Sequence, residues 1–131
     1  MVMSHREWIM TDRIRAGVAH QWREFFREWD VVLCPVMPTP AYPHDHSDPN
    51  TRQILIDGKQ VPYGDQGLWS SVATLTGLPA TAMPIGQSVE GLPIGMQIIG
   101  PYLEDRATIA FAELIEREFG GFVAPPSYQH E

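Results

Sequence analysis

The spacing of apolar residues divides the chain into helices, strands and one long irregular segment. Ile14, Val18, Trp22, Phe25 and Trp29 recur at intervals of three and four, which predicts a long amphipathic helix over 4–29. Ser4 and Glu7 stand at capping-box spacing at its start, with Met3 and Trp8 placed as a hydrophobic staple. This helix is read as one that packs on a sheet, because its polar face mixes Arg with Glu and does not suit a membrane surface. Asp30 to Pro35 follows directly as a buried strand closed by proline. The next stretch, PVMPTPAYPHDHSDPN, carries too many prolines for regular structure and is read as a loop. RQILI and KQVPY flank Asp57-Gly58, a dipeptide that favours a type I′ hairpin turn, and Pro62 marks the second strand as an edge. These strands and loops make up a region over 30–64.

In the region 65–101, Asp65 is the predicted N-cap of a helix whose apolar flank holds Leu68, Val72 and Leu75, with Trp69 and Ala73 beside them. Gly77 and Pro79 end it. Ala80 to Met83 reads as a brief strand stopped by Pro84, and Ile94 to Ile99 as a second, both covered on two faces and joined by the polar turn GQSVEG. A last helix over 104–119 is predicted from Asp105 as N-cap, with Ala107, Phe111, Leu114 and Phe119 on its buried side. Gly120-Gly121 close it, and the remaining FVAPPSYQHE reads as a surface tail.

At 131 residues and 44% apolar, the chain is long and hydrophobic enough for one globular domain with a real core. Its net charge of −7 is uneven, and no basic stripe appears, which argues against nucleic acid or an anionic membrane as partner. The single cysteine, Cys34, excludes an internal disulfide and permits a reducing compartment. No apolar run is long enough to span a bilayer, and the N-terminus lacks the apolar core of a signal peptide. The expected location is cytoplasmic.

Little in the chain points to chemistry of its own. His44, Asp45, His46 and Asp48 invite a metal reading, but histidines two apart make no helical ligand face and no third fixed ligand follows, so no metal and no cofactor is expected. No G-x-S-x-G elbow is present, and Cys34 is read as a buried strand residue with no histidine at a supporting spacing.

TGLPATAMPIG, then GLPIGMQIIGP and the helix from Asp105, resemble the C-terminal part of the amidase signature family. The flanks DVVLCPVMPTPA and the Asp-Gly hairpin leading to YGDQGLW extend the resemblance from about Arg13 to Tyr128. It implies an α/β fold: a partial α/β/α layered core with a mixed sheet, a fragment of the amidase signature fold. It implies hydrolysis of non-peptide C–N bonds by a Ser nucleophile, a second Ser preceded by a cis peptide, and a Lys. That Gly/Ser-rich region is not in this sequence. A lysine acting as base must be desolvated, whereas Lys59, the only lysine, follows a turn where it should be wet. Ser70-Ser71 lies inside a predicted helix without surrounding glycines. The chain alone is therefore expected to be inactive, with no catalytic residue assigned.

What the resemblance does carry over is substrate positioning, on Asp65, Trp69 and Ser70, the turn and helix that border the family's substrate funnel. Against this stand plain structural roles: Asp65 as a cap, Trp69 as core, Ser70 as a helix-surface residue. Thr74 stands where the family often has Asn. The competing function is a stand-alone, non-catalytic binding or scaffold module derived from the same fold. Either way, open sheet edges predict self-association, with a small-molecule amide as ligand only when the upstream part is present.

Overall fold

A computed structural model describes residues 2–125 of the chain. Helix α1 spans His5–Phe25, followed by strands β1 (Val32–Pro35), β2 (Gln53–Ile56) and β3 (Lys59–Pro62). A short 3-10 turn over Tyr63–Gly67 leads into helix α2 (Leu68–Thr76), then β4 (Ala80–Gln87), β5 (Pro93–Ile99) and helix α3 (Asp105–Phe119).

Three strands form the main sheet in the order β1-β5-β4, each pair antiparallel. β5 is central, and its last three residues, Gln97, Ile98 and Ile99, are all buried, so both of its faces are covered. On one face, Cys34, Ala73, Leu78 and Ile99 form the core, with Trp22, Phe26, Val32 and Val72 packed around it. This brings the end of α1 and the whole of α2 onto the same side. On the other face the fully buried Thr108 of α3 meets Thr81 of β4, whose hydroxyl donates to Thr108 Oγ1 at 2.8 Å. Thr81 is paired with Ile98, so Ile98 looks towards α3 while its neighbour Ile99 looks towards α2. The result is an α/β/α layering. Gly100 lets α3 turn back against the sheet, because a Cβ there would lie 2.6 Å from Thr108 Cγ2.

Local signals at the element ends largely hold. Ser4 and Glu7 form both halves of the capping box. The Ser4 hydroxyl and backbone N–H, both hydrogen-bonded to the Glu7 carboxylate, hold that group below its ordinary range. Asp57 and Gly58 have φ of 49° and 76°, as a type I′ turn requires, and Gly77 ends α2 at φ 70°.

Several predicted details differ. α1 stops at Phe25 with a turn behind it, and β1 begins at Val32, so neither the helix to 29 nor the strand from Asp30 is formed. The inward side of α1 runs through Ala19 and Trp22 and continues to Phe26 just past its end, whereas Ile14 is 70% exposed and Trp29 is exposed too. In α2 it is Val72, Ala73 and Thr76 that turn inward, and Leu68 and Leu75 face out. In α3 the inward stripe is Ala107, Thr108, Phe111 and Ile115, leaving Leu114 and Phe119 exposed. Neither aspartate caps: α2 starts after Gly67 and α3 after Glu104, both without a side-chain cap bond, and Asp65 sits in the 3-10 turn. β4 runs through Pro84 and is mostly exposed, because an edge strand with a register shift at Pro84/Gly86 tolerates a missing N–H. The predicted tail falls mainly on 126–131, outside the described residues; Phe122 and Val123 before it are exposed.

Candidate functional site

The Pro-rich loop, the hairpin β2–β3 and the start of α2 meet at one end of the sheet. Gln97 fixes that meeting. Its buried amide, on β5, donates from Nε2 to the carbonyls of Pro35 and Trp69, each at 3.0 Å. One side chain thus ties the end of β1 to the first turn of α2. The Pro-rich loop is held from its own side by Tyr42, whose hydroxyl donates to Gln66 Oε1 at 2.5 Å, and by an edge-on contact between Tyr42 and Tyr63. The Tyr63 hydroxyl pushes the Tyr42 phenol up, while Tyr42 in turn draws Tyr63 down. The Arg52 guanidinium lies 4.1 Å over the Tyr63 ring, a cation–π contact that carries β2 into the same cluster.

Between the hairpin and α2 lies a cleft of about 320 Å³, lined by Asp65, Leu68 and Trp69 on one side and Pro38, Ile56, Asp57, Lys59 and Val61 on the other. It joins two of the predicted site residues, Asp65 and Trp69. Ser70 is not among the residues lining it, and its hydroxyl donates to the Gly67 carbonyl at 3.0 Å. Lys59 and Pro38 share the cleft, though the sequence alone does not mark either as a pocket residue; the Asp-Gly turn, by fixing where the hairpin folds back, is the signal that could have placed Lys59. Chemically, the cleft offers apolar walls with carboxylates and one ammonium. It suits holding a neutral, partly apolar molecule better than breaking a bond.

The possible nucleophiles are otherwise occupied. Ser71 donates to the Leu68 carbonyl at 2.6 Å, so both hydroxyls of the Ser70-Ser71 pair are bound to their own helix turn. Burial pushes the Cys34 thiol up, with the Gln97 side chain acting the other way, so a thiolate is disfavoured. Asp45 and Asp48 each accept from a backbone N–H two residues on, Ser47 and Asn50, which holds both carboxyls below their ordinary range. The rings of His44 and His46 are 6.2 Å apart, and no group of three or more His, Cys, Asp or Glu side chains among the described residues is placed to hold a metal.

Known proteins are similar to this chain in sequence and in fold. The glutamyl-tRNA(Gln) amidotransferase A chain of Wolinella succinogenes is 31% identical over 113 residues, 86% of this chain but 23% of the relative. Its counterpart in Zymomonas mobilis is 33% identical over 121 residues, 91% of this chain and 22% of its own. Among solved structures, an amidase superposes with a TM-score of 0.75 at 24% identity, covering 90% of this chain and 26% of that one. The corresponding amidotransferase polypeptide of Thermotoga maritima gives 0.69 at 28% identity, covering 86% and 24%. The chain thus spans about a quarter or less of the length of the relatives it matches. No helix among the described residues is long and apolar enough to cross a membrane. The family model described as Amidase matches residues 1–109, and the chain belongs to that family.

Proposed function

We propose that this chain supplies the sheet, covering helices and one substrate-side wall of an amide-hydrolysing enzyme of the cytoplasm, while the nucleophile comes from outside these residues. The observation that carries this reading is the contrast between family and site: an amidase-family chain whose paired serine hydroxyls are both spent on helix carbonyls. Asp65 and Trp69 wall the cleft where the amide substrate is held, and Ser70 stands at its border on the same helix turn. That its relatives are named as amidotransferase chains supports a reading in which an amide C–N bond is the bond acted on.

The test places this segment within an amidase in exchange for the corresponding stretch. Asp65→Asn and Trp69→Ala each raise KM by about fivefold to tenfold with kcat little changed, the loss of roughly one binding contact. Ser70→Ala has a smaller effect in the same direction. Unchanged KM in all three variants rules out this wall as the substrate's.

Alone, the chain also self-associates on this reading. Met10 and Ile14, one helical turn apart, leave an apolar patch on the first half of α1, exposed by 57% and 70%, Trp8 is 57% exposed on another side of the helix, and the β1 and β4 edges are open. Sedimentation is expected to show oligomers growing with concentration. A single monomeric species at high concentration contradicts this.

A further inference from the structure

A second and larger cleft, of about 560 Å³, lies on the other side of the hairpin, between the Pro-rich loop and the turn joining β4 to β5. Four consecutive residues of the hairpin line it: Arg52, Gln53, Ile54 and Leu55. Consecutive residues of a strand point to opposite faces, so the cleft runs along the outer edge of β2 and not over one face. The hydrogen-bonding alternation of the hairpin says which groups lie there. Tyr63 N–H donates to the Arg52 carbonyl at 3.0 Å, and the register pairs Ile54 with Val61 and Ile56 with Lys59. These are the inward-bonding pairs, which leaves the N–H and C=O of Gln53 and Leu55 pointing outwards. The opposite edge is blunted. Pro62, across from Gln53, falls at an outward position of β3 and has no N–H to offer. A hairpin of two strands is marginal unless something adds to it, and only the β2 edge is fitted for addition.

Two side chains in the same cleft carry buried polar atoms without a partner, Arg52 Nε and Thr39 Oγ1. Both can donate to a carbonyl. The other charged residues of the cleft are acidic, Asp45 and Glu90, while the Arg52 guanidinium is already engaged by the Ser47 carbonyl and the Tyr63 ring. We propose that this cleft is a strand-addition site: an extended segment of another polypeptide, apolar at its centre and basic at its flanks, pairs with Gln53 and Leu55 and gives carbonyls to Arg52 Nε and Thr39 Oγ1. A second copy of this chain fits less well. The cleft, walled on both sides, admits one strand, whereas the β2 of a copy brings β3 behind it, and both rims are acidic in a chain of net charge −7.

The test uses the whole 131-residue chain, labelled with nitrogen-15 and titrated with a blocked pentapeptide, Lys-Val-Ile-Val-Lys. The amides of Gln53 and Leu55 shift and exchange more slowly, and the Thr39 and Leu92 signals move with them. A peptide N-methylated on its pairing edge binds at least about tenfold more weakly, and Arg52→Lys, which keeps the charge and removes Nε, weakens the parent peptide to a similar degree. The N-methylated probe leaves the protein untouched, so its result stands even if Arg52→Lys disturbs the loop. Equal binding of the two peptides, shifts on β3 in place of β2, no shift at all, the same shifts with acetate alone, or concentration-dependent Gln53 and Leu55 shifts without any peptide each overturn the proposal.

Discussion

Gly100→Ala is expected to lower the stability of the fold by about 1–3 kcal/mol, the usual cost of forcing a methyl into a packed interior. The added Cβ meets Thr108 Cγ2 at 2.6 Å. That methyl cannot swing aside, because Thr108 is buried and its hydroxyl is held twice, donating to the Asp105 carbonyl and accepting from Thr81, each at 2.8 Å. The backbone at Gly100 needs no left-handed conformation, so the whole effect is steric. Thr108→Ser removes the offending methyl and keeps the hydroxyl. In urea unfolding, Gly100→Ala with Thr108→Ser should therefore recover most of what Gly100→Ala alone loses. A double variant no more stable than the single one shows that the α3–sheet contact is not what makes glycine necessary there.

The second large effect falls on Gln97. Gln97→Leu keeps the bulk and removes both donors, leaving the carbonyls of Pro35 and Trp69 without that bond in a partly buried place. The expected loss is about 1–3 kcal/mol. Gln97→Glu is worse, but only where the new carboxyl ionises. Facing two carbonyl oxygens out of water, it has its folded pKa raised above the unfolded value. The extra penalty is therefore absent below the unfolded pKa and grows as pH rises through and beyond it. The two variants should have similar stability near pH 4, with Gln97→Glu well below Gln97→Leu near neutrality, as read by thermal unfolding at both values. A gap that does not change with pH contradicts this account of the amide's surroundings.

These two residues also show where sequence reading stops. Signals that act within a few residues were legible: the Ser4–Glu7 box, the Asp57-Gly58 turn and the left-handed Gly77 all stand as read. The family motifs were legible too, since the GLP stretches lie on α2, β4 and β5. What was not legible needs distant partners. Gln97 looks like a polar interruption of an apolar strand until Pro35 and Trp69 are brought to it. The inward stripe of each helix was misplaced by a residue or so, through Ile14, Leu75 and Leu114. Apolar spacing records which faces favour burial, not which of them this segment covers. Asp65 and Asp105 failed as caps because each helix begins one or two residues away from where a good capping residue stands. Of the site, Asp65 and Trp69 were brought to one cleft; Lys59 came there through the fold of the hairpin.

The central claim, that this chain builds part of an amide-hydrolysing enzyme without its nucleophile, is tested most directly by ammonia release. The purified 131-residue chain alone is offered a panel of simple aliphatic and aromatic amides. No release above the buffer rate is the predicted result. Turnover that disappears with Lys59→Ala or Ser71→Ala would contradict it, and would place a working catalytic centre within these residues.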